Sequence, residues 1–363
     1  MSDAQPGTPV EPVQPVVGGV EPTGWLDLAR IVAIAAVVLV HVVAPATNGS
    51  LVDEGSGAWW AAVVLNAASR WCVPVFLMVS GALLLDPRRS ERPRDFYRKR
   101  LGRIGVPLAA WTLVYLGFRR WYLVEPITAE EATRDVLAGT PFLQLYFLFV
   151  LVGLYVLTPF LRIIVRHTTR RMQVGFVAVL LGLGALDQAI SAVADVGGAT
   201  AATRYVPFIG YYVAGWVLRD VALGPARLRV AAGAFVASVA ATVGLTGVAS
   251  VPSGWGAGGR YVFGFLSPTV MVTSLAAFLL LRAAGWVWAQ QHRRRLSRLA
   301  ALTFGVFLVH PLVLYPLQDR WAPGETAGAF LGWALALWVA TTLASALATL
   351  LLGRLPGLRA TVR

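Results

Sequence analysis

Residues 25–41, WLDLARIVAIAAVVLVH, decide the fold class. The stretch is mostly Ala, Val, Ile and Leu, and a membrane-spanning helix needs about 20 predominantly apolar residues. It also carries Asp27, Arg30 and His41, ionisable side chains that are costly inside a bilayer and therefore mark functional positions. The stretch predicts a first transmembrane helix that carries functional side chains.

The rest of the chain has the composition of an integral membrane protein. Of its 363 residues, 57% are hydrophobic and 13% are charged, whereas soluble domains average about 45–50% apolar and about 25% charged residues. The net charge of +13 does not indicate nucleic-acid binding, because the basic residues recur in short bursts between apolar runs. The single cysteine, Cys72, excludes an internal disulfide framework and a Cys-rich metal site, and we expect it to pack in the core.

Apolar runs predict an all-α integral membrane protein, a bundle of about ten transmembrane helices within one domain over residues 23–353. The Pro-rich residues 1–22 are expected to form a disordered cytosolic tail, and residues 354–363 a short basic cytosolic tail. The predicted spans are roughly 25–45, 68–85, 104–124, 142–161, 174–194, 204–219, 229–249, 260–281, 300–318 and 327–352. The second of them could begin anywhere from 58 to 71, and the span at 204–219 is short.

The charge of the loops predicts which side of the membrane each one faces. If the N-terminus is cytosolic, the cytosolic loops and C-terminal tail hold 23 of the 31 Lys and Arg residues, and the outward loops and their flanks, Arg70 among them, hold seven. Cytosolic loops carry such an excess of positive charge. We therefore expect both termini in the cytosol and a multi-pass protein of the inner or plasma membrane.

Arg30 and His41 share one face of the first helix. Eleven residues separate them, which is three full turns plus about 20° and about 16 Å along the axis. Asp27 and Arg30 form an i,i+3 pair on nearly the same face. A salt bridge at the membrane surface and a histidine bonded to a neighbouring helix would explain this stripe. A neutral imidazole would equally suit a base that accepts the proton of an attacking hydroxyl.

A basic run before the third helix predicts a phosphate site. Arg100 and Arg103 are spaced i,i+3 and follow Phe96, Tyr97 and Arg98. Paired guanidiniums at a helix start, beside aromatic rings, suit phosphate groups and an adenine ring. Charge anchoring at the membrane surface explains most of this run without a ligand, so both interpretations stay open. His310, the other histidine within a span, either bends its helix before Pro311 or serves the reaction.

Several segments together resemble the membrane acyltransferase-3 family, in which similar motifs occur in the same order. In this chain the first motifs are Leu26-Asp27-x-x-Arg30 followed by His41, then Val73-Pro74-x-Phe76-Leu77-x-x-Ser80-Gly81, and then the pair Arg100 and Arg103. The last two are the stretch from Leu145 to Pro159 and the pair His310-Pro311. Two positions depart from the usual pattern: Leu77 replaces a second Phe, and Tyr146 stands where Trp is common.

The resemblance implies ten helices, a cytosolic acyl-CoA donor and an essential catalytic histidine in the first helix. The chain is most similar to the short branch that includes the O-acetyltransferase of enterobacterial common antigen. Family members also acylate peptidoglycan, lipopolysaccharide and macrolides, so the resemblance leaves the acceptor open.

The expected reaction is O-acylation, with acetyl favoured, of a hydroxyl on a cell-surface glycan or its lipid-linked precursor. Acyl-CoA is the expected donor substrate, and no permanently bound cofactor or metal is expected. One alternative is the acylation of a hydrophobic secondary metabolite such as a macrolide. Another is a transporter or flippase of lipid-linked sugars, which the lack of carboxylates at span centres disfavours.

The resemblance and the residue pattern together assign roles along this path. Arg100 and Arg103, with Arg98, are expected to hold the CoA phosphates, and Arg30, held by Asp27, to line the path of the pantetheine arm. His41 is expected to deprotonate the acceptor hydroxyl or to carry the acyl group briefly. Two further residues are expected to assist at the oxyanion or the acceptor: His310 and Ser80.

Overall fold

A computed structural model describes residues 24–88, 91–194, 198–252 and 254–362 of the chain. These residues form α-helices joined by loops and two short 3-10 turns, and they include no strand. The all-α prediction is therefore confirmed. The predicted tail at 1–22 lies outside the described residues.

The helices follow one another along the chain with short connections. They are α1 Gly24–Thr47, α2 Gly57–Ser69, α3 Cys72–Leu84, α4 Pro93–Trp121, α5 Ala129–Ala138, α6 Tyr146–His167, α7 Arg170–Ala194, α8 Ile209–Leu218, α9 Pro225–Ser250, α10 Ala257–Val262, α11 Pro268–Gln291, α12 Arg293–Ala300, α13 Thr303–Arg320 and α14 Ala327–Leu352. The 3-10 turns are Val206–Phe208 and Leu358–Thr361.

Among the described residues, eight helical segments are long and apolar enough to cross a membrane. They are α1, α2 with α3, α4, α6, α7, α9, α11 and α14. A ninth arises if α12 and α13, which bend by 46° at their junction, form one span. The predicted span at 204–219 corresponds to a shorter apolar helix, Val206–Leu218. The count of ten and the side of each terminus remain predictions.

The second span begins near the early limit of the predicted range and is broken in its middle. It runs from Gly57 to Leu84, 28 residues, and the break falls at Arg70 and Trp71, between α2 and α3. Pro74 lies in the first turn of α3, where its missing N–H removes no helical hydrogen bond. The expectation that Arg70 belongs to an outward flank was therefore wrong, because the break places it midway along a span.

Helix α1 occupies the centre of the bundle. Its buried face is rich in Ala and Val, and small side chains let neighbouring helices approach closely. Neighbouring side chains also donate to its carbonyls: Gln318 Nε2 to Val42 at 3.1 Å and Trp338 Nε1 to Ala35 at 2.7 Å. The helix that carries the predicted catalytic stripe packs against α2, α3, α11, α12, α13 and α14.

Two glycines allow α3 and α8 to pack with their backbones in contact. A methyl group at Gly81 would overlap the carbonyl oxygen of Tyr212, and one at Gly215 would overlap that of Met78. Gly81 ends the Val73–Gly81 motif, so the motif requires glycine there for close helix packing. This contact holds α3 in place, and α3 carries Phe76 and Ser80.

Gly81→Ala should therefore lower the free energy of unfolding by about 3 kcal/mol, the upper end of the usual cost of overpacking. Thermal unfolding of the purified protein in detergent measures the effect. The matched control is Gly244→Ala in α9, where nothing lies within 4 Å of the added methyl group. Since Ala favours helix by about 1 kcal/mol over Gly, the control should keep or raise stability. Equal effects of the two changes would contradict the packing role.

Candidate active site

The structure brings together the two histidines that lie within predicted spans. The rings of His41 in α1 and His310 in α13 meet edge to face, with centroids 4.9 Å apart. His310 is fully buried, whereas His41 is only partly buried. His41 lies roughly 25 Å along α1 from Gly24. Thr47, at the other end of α1, is only roughly 9 Å from it, so the histidine pair lies nearer the Thr47 end of this helix than the Gly24 end.

Backbone carbonyls fix how each ring is oriented. His41 Nδ1 lies 2.8 Å from the carbonyl oxygen of Val37, and His310 Nδ1 lies 2.9 Å from that of Phe307. Pro311 has no N–H, so the Phe307 carbonyl lacks its helical partner and is free for His310. A carbonyl oxygen only accepts, so Nδ1 carries the proton in both neutral rings. Each ring is left with a lone pair on Nε2, the state a general base requires.

Three guanidiniums gather near the Gly24 end of α1. Arg30 pairs with Asp27 as predicted, with 3.3 Å between Nη1 and Oδ1. Arg100 and Arg103 of α4 lie close enough to Arg30 for their charges to interact. Among the described residues no carboxylate forms a salt bridge with Arg100 or Arg103, and the buried Nε of Arg100 has no hydrogen-bond partner. The group therefore carries an excess of positive charge that suits an anion.

A cavity of about 180 Å³ opens between these arginines and the middle of the bundle. It is smaller than the ~300–1,000 Å³ typical of sites that enclose a whole ligand, so it fits the narrow part of a longer molecule. We call it the basic cavity. It is lined by Arg30, Ser80, Arg100, Arg103, Tyr155 and Thr303, together with apolar side chains.

Two predicted residues are placed less favourably for their expected roles. Arg98 is exposed on α4 and does not line the basic cavity. Ser80 lines it, but its hydroxyl donates to the carbonyl of Phe76 at 2.9 Å. In this arrangement Ser80 offers lone pairs to the cavity, and its proton is not available to an oxyanion.

Three aromatic rings, which we call the aromatic wall, line the basic cavity on the side of the histidine pair. Its members are Phe76, Phe147 and Phe307, which all line the cavity. The ring of Phe147 lies 5.5 Å from that of Phe307 and 6.1 Å from that of Phe76. Phe307 also lies 6.3 Å from the ring of His310. The aromatic wall therefore links the lining of the cavity to the ring of His310.

Comparison with known proteins agrees with this arrangement. The model of the acyltransferase-3 family, described as an acyltransferase domain, matches residues 23–350. The chain belongs to the acyltransferase-3 family. No curated protein and no solved structure matches it. The protein is therefore a membrane acyltransferase, and the resemblance to this family is confirmed, whereas the branch that acylates enterobacterial common antigen remains a prediction.

In this acyltransferase, several polar residues around the site had not been predicted as site residues. Tyr155 lines the basic cavity, and Arg293 of α12 acts electrostatically on Asp27. Arg70 lies in the break between α2 and α3, and its charge acts on His41. Gln144 is 1% exposed, although it directly precedes α6 and resembles a loop residue. The Pro at position 74 hints at the break, but no local pattern signals that Gln144 is buried.

The basic cavity yields a test with an internal control. Arg100→Ala and Arg103→Ala should each weaken binding of acetyl-CoA about tenfold or more, since a hydrogen bond to a charged group contributes about 1.5–3 kcal/mol. Lysine at either position should restore less than half of that loss, because it lacks the planar fork of arginine. Titration calorimetry on protein in lipid nanodiscs measures the dissociation constants.

Arg98→Ala is the matched control for this test, because it removes the same charge from the same helix outside the cavity. It should change the dissociation constant less than twofold, about 0.4 kcal/mol. If Arg98→Ala weakens binding as much as the other two changes, the arginines act as a general surface charge and form no site.

Proposed function

We propose that this acyltransferase moves an acyl group, with acetyl favoured, from cytosolic acyl-CoA to a hydroxyl of a cell-surface glycan or its lipid-linked precursor. The observation that carries the proposal is the order of chemical groups along α1. Three arginines, of which only Arg30 forms a salt bridge with a carboxylate among the described residues, lie near the Gly24 end of the helix, and the histidine pair lies farther along it. This order would place an anionic donor and a base along one path.

The donor follows from the shape and charge of the basic cavity. The phosphates of acyl-CoA would contact Arg100 and Arg103, and its adenine would stay outside, because the cavity has room only for a narrow chain. The pantetheine arm would pass Arg30 and Tyr155 towards the aromatic wall. The thioester would then lie beyond Phe307, beside the histidines.

The base follows from the state of the two rings. His41 is the partly exposed member of the pair and is the one that a substrate can reach, so its Nε2 would take the proton of the acceptor hydroxyl. The hydroxyl oxygen then attacks the thioester carbon, the C–S bond breaks, and the proton passes from His41 to the departing CoA sulfur. His310 would hold the ring of His41 through their edge contact. A short-lived acyl group on His41 Nε2 is compatible with the same geometry.

The proposal includes an orientation for the whole chain. Ten spans would cross the inner or plasma membrane as one domain over residues 23–353, with both terminal segments in the cytosol. The basic loops would then lie on the side where acyl-CoA is made. Helix α5 would lie on the opposite side, where Glu130 and Arg134 form an exposed i,i+4 ion pair.

His41 tests the chemistry most sharply within this proposal. The hydrogen bond of His41 goes to the Val37 carbonyl of its own helix, and even a hydrogen bond between helices in a membrane contributes only about 0.6 kcal/mol, whereas loss of a general base costs about 10²–10⁴ in rate. His41→Ala and His41→Gln should therefore both keep thermal stability and acetyl-CoA binding while losing transfer. Incorporation of radiolabelled acetyl into membranes of the expressing cells measures transfer.

The control is His167→Ala, which removes an exposed histidine at the end of α6 and should leave the rate unchanged. Full activity of His41→Gln would show that His41 only positions its neighbours, and His310 would then be the base.

Orientation has a separate test in intact cells. In a Cys72→Ser background, cysteines at the exposed positions Arg98 and Arg294 should resist membrane-impermeant thiol reagents, because both loops are expected in the cytosol. A cysteine at the exposed position Arg134 should be labelled readily. Labelling of Arg98→Cys or Arg294→Cys at the rate of Arg134→Cys would overturn the proposed topology.

A further inference from the structure

Several buried polar atoms close to the histidine pair have no partner. Neither the amide nitrogen nor the amide oxygen of Gln144 meets a hydrogen-bond partner, and the same holds for the hydroxyl of Tyr146 and for Nε2 of His310. Most buried polar groups in proteins are paired, and each exception needs an explanation. Three such residues in one region indicate a place where something polar binds.

Gln144 and Tyr146 lie in the same part of the bundle as the histidines. The amide of Gln144 lies next to the hydroxyl of Tyr115, but that hydroxyl already donates at 2.6 Å to the carbonyl of Leu308, two residues before His310. No hydrogen bond of acceptable geometry joins the two side chains. Tyr146 also lies near Arg70, which in turn lies near His41.

Helix α6 connects these residues to the basic cavity. Leu151 and Tyr155 of α6 line that cavity, and Phe147 belongs to the aromatic wall. Tyr146 begins α6 and lies about 13 Å along the helix axis from Tyr155. Gln144 and Tyr146 therefore lie at the start of α6, on the aromatic-wall side of the basic cavity.

Arg70 adds a positive charge to this second region. Its Nε–H donates to the carbonyl of Phe263 at 2.7 Å, and its guanidinium lies 4.5 Å from the ring centroid of Phe265. Among the described residues, no carboxylate forms an ion pair with it, and no other side chain or carbonyl accepts its remaining N–H groups. A cation within a span normally pairs with an opposite charge, so an anionic ligand would supply the partner that is missing.

We propose that Arg70, Gln144 and Tyr146 form the acceptor subsite, and that it takes a sugar headgroup bearing a carboxylate or phosphate. This inference rests on the proposed function and names the chemistry of its acceptor. The Gln144 amide both donates and accepts, which matches sugar hydroxyls, and the Tyr146 hydroxyl does the same. The guanidinium of Arg70 matches an oxyanion. The reacting hydroxyl then lies beside the histidine pair, opposite the donor.

The subsite also distinguishes between acceptor classes. A hydrophobic metabolite would cover these polar groups without satisfying them, and each unsatisfied group would count against its binding. A sugar satisfies all of them. The competing explanation is that ordered water fills the region, in which case the three side chains have no effect on acceptor binding.

The first experiment separates binding from structure. Gln144→Leu and Tyr146→Phe each remove a polar group that has no protein partner, so thermal stability should stay the same or rise. Binding of octyl glucuronide to the protein in phosphatidylcholine nanodiscs should weaken about tenfold, the equivalent of one hydrogen bond. The matched control is Gln173→Leu, because Gln173 donates to the carbonyls of Val165 at 2.9 Å and Thr168 at 3.1 Å. The control should lose stability and keep binding. Unchanged binding in both subsite variants would overturn the proposal in favour of bound water.

The second experiment tests the charge. The parent protein should bind octyl glucuronide about tenfold more tightly than octyl glucoside, in which a neutral CH2OH group replaces the carboxylate. Arg70→Gln keeps an N–H donor for Phe263 and should abolish that preference, whereas Arg70→Lys should retain part of it. Equal binding of the two glycosides by the parent protein overturns the proposal even if Arg70→Gln does not fold.

Acetyl-CoA binding, measured on the same samples, keeps the two claims apart. The subsite variants should bind acetyl-CoA like the parent protein. If the parent protein fails to bind acetyl-CoA yet prefers the glucuronide, the proposed donor is wrong and the anionic sugar site stands. If it binds acetyl-CoA without that preference, the donor stands and the acceptor subsite is wrong.

Discussion

Hydrogen bonds from the two histidine rings to their own helices hold both imidazoles in one tautomer. Hydrocarbon offers no water to a polar group, so each ring must find a partner within the bundle. The carbonyls of Val37 and Phe307 supply it at Nδ1, at 2.8 and 2.9 Å. The second of these carbonyls is available because Pro311 leaves it free. As a result, Nε2 of each ring is the nitrogen left for chemistry.

Irregular backbone gathers around the same centre. The break between α2 and α3 brings Arg70 to mid-span, and the bend between α12 and α13 places Thr303 against the basic cavity. Such breaks are tolerated in membranes where they are buried in protein or line a polar space. The helices that deviate from straight spans are therefore the ones that build the two sides of the site, while α7, α9 and α14 mainly present apolar faces outwards.

Local periodicity predicted what lies within one helix and little of what lies between helices. The common face of Asp27 and Arg30 follows from 3.6 residues per turn, and the structure shows the ion pair. The approach of His310 to His41 joins positions far apart in the chain, so no local pattern could predict it. Arg70 was assigned to an outward flank because a break inside a span has almost no signature in hydropathy. Gln144 is buried beside Tyr115 of α4, and the sequence around Gln144 does not reveal this burial.

The central claim is that a donor held by Arg100 and Arg103 reaches the histidine pair past the aromatic wall. A cryo-electron microscopy structure with a thioether analogue of acetyl-CoA, which cannot be cleaved, tests it most directly. The account predicts that the phosphates of the analogue contact Arg100 and Arg103. It also predicts that the carbon in place of the thioester carbonyl leaves room for a hydroxyl oxygen that is within about 3.5 Å of both this carbon and His41 Nε2. An analogue bound elsewhere, or one that ends on the cavity side of closed Phe147 and Phe307 rings, would contradict it.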